Sequence, residues 1–234
     1  PSRGLGDVYK RQPQMVAIFN GLGGLASSLI AFSEIIKSDT SISLNIISIS
    51  IFISILIGSV TFSGSITGFL KLQSLITGKP ILLPLRNYLN FILLISIIGL
   101  MVASFFYNEQ TLIFYILIGS CLLLGILIVL PIGGADMPVV ISMLNSYSGW
   151  AAAGIGFTLE NTALIITGAL VGSSGAILSY IMCKGMNRSF FNVILGGFGA
   201  TDDTSSKSTK EQRPVKSGNA DDAAFLMKNA SSVI

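Results

Sequence analysis

The chain contains no histidine. A triad or metal centre built on imidazole is therefore excluded from within it. Cysteine is nearly absent as well: Cys121 and Cys183 each sit in an apolar run, without a C-x-x-C pair. Such usage points to no zinc site and no disulfide framework. Charge is the third scarcity. Only 11% of the residues are charged, where soluble domains carry roughly 25%. A chain so poor in charge could not cover its own surface in water. The net charge of +3 is small and dispersed, with no basic stripe interleaved with aromatics, so nucleic acid is not a partner.

Apolar sequence is what the chain has in quantity. Hydrophobic residues make up 51% of it, and its mean hydropathy is +0.77. Runs of about 20 apolar residues, the length that crosses a bilayer, occur at 15–36, 44–70, 89–107, 111–130, 139–157 and 163–183. Each reads as a helix. A lipid-exposed strand would alternate, whereas IISISIFISILIG keeps apolar residues on both strand faces. The serines in that run are tolerable because a helical serine bonds the carbonyl one turn back. The expectation is an all-α integral membrane protein, a six-transmembrane-helix bundle with a polar C-terminal linker.

Basic residues orient the bundle. Lys71, Lys79, Arg86, Lys184 and Arg188 fall on one side. Lys37 stands alone on the other, with Glu34, Asp39, Glu109 and Glu160 nearby. This places both chain ends and the turn at 133–138 in the cytoplasm or the mitochondrial matrix. Residues 1–12, PSRGLGDVYKRQ, have no apolar core of a secretory signal and are expected to be a non-native leader. The transmembrane domain then covers 13–199. Residues 200–234 open with a polar linker too hydrophilic to fold alone. They continue into DDAAFLMK at 221–228, read as a short amphipathic helix, and end on Ser232-Val233-Ile234, where a strand would begin.

Several polar or small residues lie within the apolar runs. Gly21-Leu22-Gly23-Gly24-Leu25-Ala26 fits a dinucleotide fingerprint, with Asp39 about twenty residues on. That motif needs a preceding strand and a helix starting at the glycines. Inside an uninterrupted span, close helix packing is the better reading. Gly168, Gly172 and Gly175 mark the last span in the same way, while Ser173 and Ser174 either line a path or bond their own backbone.

Asn145 is costlier to bury, since two donors and an acceptor must be satisfied in mid-span. Ser148 shares its helix face, and Asn20 is a second amide within a span. Interhelical glue and a proton or ion path both remain open for these three. An amide does not titrate near neutrality, so on the path reading they relay protons or position water only. Asp136, just before Pro138, is either a helix N-cap or part of a docking surface with Lys184 and Arg188 on the same membrane face.

The segments IGGADMPVVISMLNSYSGWAAAGIGF (132–157) and ALIITGALVGSSGAILSYIMCKGMNRSFFNVILGGFG (163–199) closely resemble the β subunit of proton-translocating NAD(P) transhydrogenases. The likeness extends more weakly to PQMVAIFNGLGGLAS, TFSGSITGFLKL, GKPILLP and LMKNASSVI. It implies a membrane domain that couples hydride transfer between NAD(H) and NADP(H) to proton translocation. The nucleotides would be held by soluble domains, so no catalytic, cofactor-binding or metal-binding residue is expected in this stretch. Carried over, Asn20, Asn145, Ser148, Ser173 and Ser174 match positions near the proton path. Asp136, Lys184 and Arg188 match the face toward the NADP(H)-binding domain.

Residues 200–234 would then be the linker and the start of that domain. The partners implied are α-type subunits with an NAD(H)-binding domain, the chain's own NADP(H)-binding domain, the lipid bilayer, and a second copy in a dimer of the complete enzyme. The membrane implied is the bacterial inner membrane, or the mitochondrial inner membrane. Some family members carry a proton-path histidine where this chain has Asn20, which implies either that the titrating histidine lies on the α-type partner, the expectation adopted here, or that coupling is altered. A secondary transporter or channel is the alternative, although no inverted repeat relates the first and last three spans. A plain membrane anchor would not need six.

Overall fold

The computed structural model describes residues 5–37, 46–81, 85–106, 110–194 and 227–228, and among these every regular element is helical. Two units are distinguished, one ending at Phe198 and one from Gly199 to Ile234. Of the second only residues 227–228 are described. The linker at 200–226, most of the expected amphipathic stretch and the expected terminal strand lie outside the described residues, as do Asp39 and Glu109.

The first unit consists of α1 (Leu5–Lys37), α2 (Ile46–Leu72), α3 (Arg86–Ala103), α4 (Gln110–Val129), α5 (Met137–Thr158), α6 (Thr162–Gly185) and a short α7 (Phe190–Ile194). The all-α membrane architecture expected from composition is the one found. The first helix continues N-terminally through Pro13 to Leu5, so residues 5–12 share a helix with the first span. The third ends before the predicted 107, with Ser104 at its C-cap and the Ser104 hydroxyl donating to the Met101 carbonyl at 2.7 Å.

Five of the helices, all but α5 and the short α7, contain stretches long and apolar enough to cross a membrane. With 22 residues α5 has the length but not the apolarity, since Ser142, Asn145, Ser146, Tyr147 and Ser148 interrupt it. Its position explains this. It packs against α1, α2 and α6, and thirteen of its residues are buried. A helix wrapped by its neighbours need not satisfy lipid, and its polar groups can bond across helices. In contrast α3 packs mainly on α4 and buries only Ile97, so its apolar surface faces outward.

Close approach is achieved by small residues, as expected where packing rather than hydrophobicity drives helix association. At the α1–α2 crossing, a Cβ on Gly24 would lie 2.7 Å from the Gly58 carbonyl oxygen. At the antiparallel α5–α6 seam, Gly149, Gly168, Gly172 and Gly175 let backbone meet backbone. Serines stitch the same seam. Ser142 donates to the Gly175 carbonyl at 3.2 Å, Ser146 to that of Gly172, and Ser179 to that of Val139 at 3.4 Å.

The turns are built from specific local chemistry. Asn161 caps α6, its side chain accepting from the Leu164 N–H at 3.1 Å. At the other end of α6, Asn187 adopts the left-handed conformation, φ 54°, which asparagine tolerates better than most residues. The Arg188 N–H then bonds the Cys183 carbonyl at 2.9 Å. That reversal directs Arg188 back across the end of the bundle.

Candidate functional site

Two groups of residues stand out, one within the bundle and one at its basic end. The inner group lies where α1 crosses α5. The Asn20 amide, 6% exposed, donates to the Ile141 carbonyl of α5 at 3.1 Å. Farther along the same two helices, the Ser148 hydroxyl faces Gly23 so closely that a Cβ there would lie 2.6 Å from it. Ile141, Asn145 and Ser148 are spaced i, i+4, i+7 and so share one helix face. The structure therefore brings Asn20 and Ser148 to one interface, with Asn145 between Ile141 and Ser148 on the same face of α5.

These three groups are satisfied very differently. Asn20 spends a donor on Ile141 and acts as interhelical glue. Among the described residues, the side chains of Asn145 and Ser148 make no hydrogen bond, and both are half-buried. Ser142 and Ser146, turned toward α6 on the same helix, are both committed to α6 carbonyls. Helix α5 is thus divided lengthwise. Its α6 face is closed by bonded serines, and its α1 face keeps an amide and a hydroxyl uncommitted.

Ser173 and Ser174 do not join this interface. Both are exposed on α6, with Ser173 bonding the Ala169 carbonyl at 2.8 Å and Ser174 that of Val171 at 3.0 Å. Ser173 lines an outer groove with Ser50, Trp150 and Phe157. Gly21–Ala26 lies in the middle of α1 against α2 and α5, with no strand before it among the described residues. It therefore has no room to cradle a nucleotide.

The second group is the turn between α4 and α5. A single 3₁₀ turn, Gly134–Asp136, ends at the N-cap of α5, with Pro138 in the first helical turn. Asp136 occupies the cap position but its side chain makes no cap hydrogen bond. Its Oδ1 is buried without a hydrogen-bond partner and lies 3.6 Å from Arg188 Nε. The pair is an ion pair at contact distance, too long for a hydrogen bond. Lys184, in the last turn of α6, is exposed nearby in sequence. The turn also meets the α2–α3 loop, where Gly134 N–H donates to the Gly78 carbonyl at 2.9 Å.

Lys71 belongs to this group, although its sequence position suggested only one more flanking cation. It is 4% exposed. Its ammonium donates to the carbonyls of Val129 at 3.4 Å, Ile132 at 2.8 Å, and Leu130. The available signal was its setting in FLKLQ, directly after the apolar run and followed by one more leucine.

Comparison with known proteins finds relatives of the chain. The family model described as NAD(P) transhydrogenase beta subunit matches residues 9–234. The NAD(P) transhydrogenase subunit beta of Rhodospirillum rubrum is 52% identical over 230 residues, 95% of this chain and 49% of the relative. A second R. rubrum sequence of that name matches equally well. The chain thus spans about half the length of the curated relatives it matches.

Proposed function

The chain belongs to the NAD(P) transhydrogenase β-subunit family, and on that premise we propose that it is the proton-conducting membrane part of such an enzyme. In the complete enzyme it couples hydride transfer between NAD(H) and NADP(H) to proton translocation. The α1 face of α5 is the path. Asn145 and Ser148 relay protons or hold water there, and Asn20 fixes the seam beside them. The observation that carries this reading is the contrast across α5: its structural serines are all bonded, while the Asn145 amide is not. A residue serving only as glue would be bonded as Asn20 is.

A relay of amides and hydroxyls needs a titrating group, and this chain has no histidine. That group is supplied by an α-type subunit, whose helices pack beside α5. Ser173 and Ser174, turned outward on α6, join the path only through such a partner. The nucleotides are held by the soluble domains.

The turn carrying Asp136, with Lys184 and Arg188, is the docking face for the NADP(H)-binding domain. Its cluster of cations supports a position on the cytoplasmic side of a bacterial inner membrane, or on the matrix side in mitochondria. The enzyme alternates proton access as that domain docks and releases, and two copies form the complete assembly. The test is Asn145→Leu in the complete enzyme, which should reduce proton-coupled activity well before it weakens NADP(H) binding. Equal loss of both would assign Asn145 to folding.

A further inference from the structure

We propose that Lys71 is a positioning residue that holds the acid-bearing turn in place. An ammonium has three N–H donors, and here all three carbonyls within reach are backbone: those of Val129, Leu130 and Ile132. These belong to the C-terminal end of α4 and the residues just beyond it. The last carbonyls of a helix have no intrahelical partner and carry the negative end of its dipole. A buried cation is costly unless such groups surround it, and among the described residues no carboxylate pairs with Lys71. Its charge is spent wholly on this chain end.

The chain end it holds is the one that leads to Asp136. Three residues separate Ile132 from Asp136, and the intervening Gly134 N–H is tied to the Gly78 carbonyl. Ile81 N–H closes the same junction by donating to the Leu130 carbonyl at 3.3 Å. Lys71 is itself anchored. It lies in the last turn of α2, whose Leu72 carbonyl accepts from the Gln14 amide of α1 at 3.1 Å. A chain of caps thus runs from α1 to α2 to α4 and into the turn. Lys71 sets where Asp136 sits relative to Arg188, and through that, how the turn presents itself to a nucleotide-binding domain. The last step rests on the docking role proposed for the turn; the hold of Lys71 on the turn does not.

The experiment separates the two. Ile132, 4% exposed, is replaced by cysteine in the complete enzyme in membrane vesicles. Labelling by a membrane-impermeant maleimide is followed at that site by mass spectrometry, so that Cys121 and Cys183 do not contribute. Lys71→Met should raise the labelling rate at least about tenfold, as expected when a buried charge-assisted hydrogen-bond cluster is lost. Lys71→Arg, which restores a cation and its donors, should return the rate to near the parent's. Lys71→Met should also raise KM for NADP(H) more than it lowers kcat. Unchanged labelling in Lys71→Met overturns the proposal whatever the activity, and so does failure of Lys71→Arg to reverse the effect. Raised labelling with unchanged KM supports the hold on the turn and refutes the docking role instead. Should Lys71→Met fail to reach the membrane, Lys71→Gln is read by the same criteria.

Discussion

Replacing Gly175 with alanine drives a methyl group into the backbone of α5. The new Cβ would lie 2.8 Å from Ser146 N and 3.0 Å from the Ser142 carbonyl oxygen. Neither atom is the end of a flexible side chain, so the two helices must part by roughly half an ångström to reach ordinary contact. That displacement also stretches the serine bonds that close the seam. Ser142 to the Gly175 carbonyl, already 3.2 Å, and Ser179 to that of Val139, at 3.4 Å, would both pass out of range.

Overpacking of this kind costs about 1–3 kcal/mol, and each interhelical hydrogen bond lost in a membrane protein adds about 0.6 kcal/mol. The expected destabilisation is therefore about 2–4 kcal/mol, read from the midpoint of detergent-induced unfolding in mixed micelles. Gly99→Ala supplies the control, because a Cβ there meets nothing within 4 Å. It should be neutral, or stabilising by up to about 1 kcal/mol through helix propensity. If Gly175→Ala proved no more costly than Gly99→Ala, the seam would not be the close-packed contact described.

Three further outcomes are expected. Asn20→Leu should cost about 1 kcal/mol, the value of one interhelical bond, and unaltered stability would deny the Asn20–Ile141 link a structural role. Ser174→Ala should stay within about 0.5 kcal/mol of the parent in stability, since its hydroxyl is exposed and bonds its own helix; a larger loss would mean that hydroxyl is buried by a neighbour. Arg188→Ala should change stability by less than about 1 kcal/mol, its side chain being 58% exposed, yet Asp136→Asn and Arg188→Ala should both alter NADP(H) release. Nucleotide kinetics unaffected by either substitution would count against docking at this turn.

Helix existence was legible because bilayer length and the absence of charge constrain it strongly. The exception is α5, whose class depends on what surrounds it. Its hydroxyls and amide lower its hydropathy, and only the wrapping by α1, α2 and α6 accounts for that. The small-residue reading of Gly21–Ala26 was also available from sequence, since the glycines interrupt no apolar run. What sequence could not supply was which polar groups are already bonded. Asn20 and Asn145 are the same residue type in similar settings, yet one donates to Ile141 and the other to nothing described. Likewise Ser146 and Ser148 are neighbours that point to different helices. Lys71 was hidden for a related reason: a cation at a span's edge normally snorkels to water, and only the fold shows that its tip turns inward onto carbonyls.

Proton passage along the α1 face of α5 is tested most directly by Asn145→Leu in the complete enzyme. Proton translocation, hydride transfer and NADP(H) binding are measured side by side on the same vesicles. Proton-coupled turnover should fall steeply while the affinity for NADP(H) and the amount of assembled protein stay near those of the parent. Undiminished proton translocation with leucine at this position would contradict it.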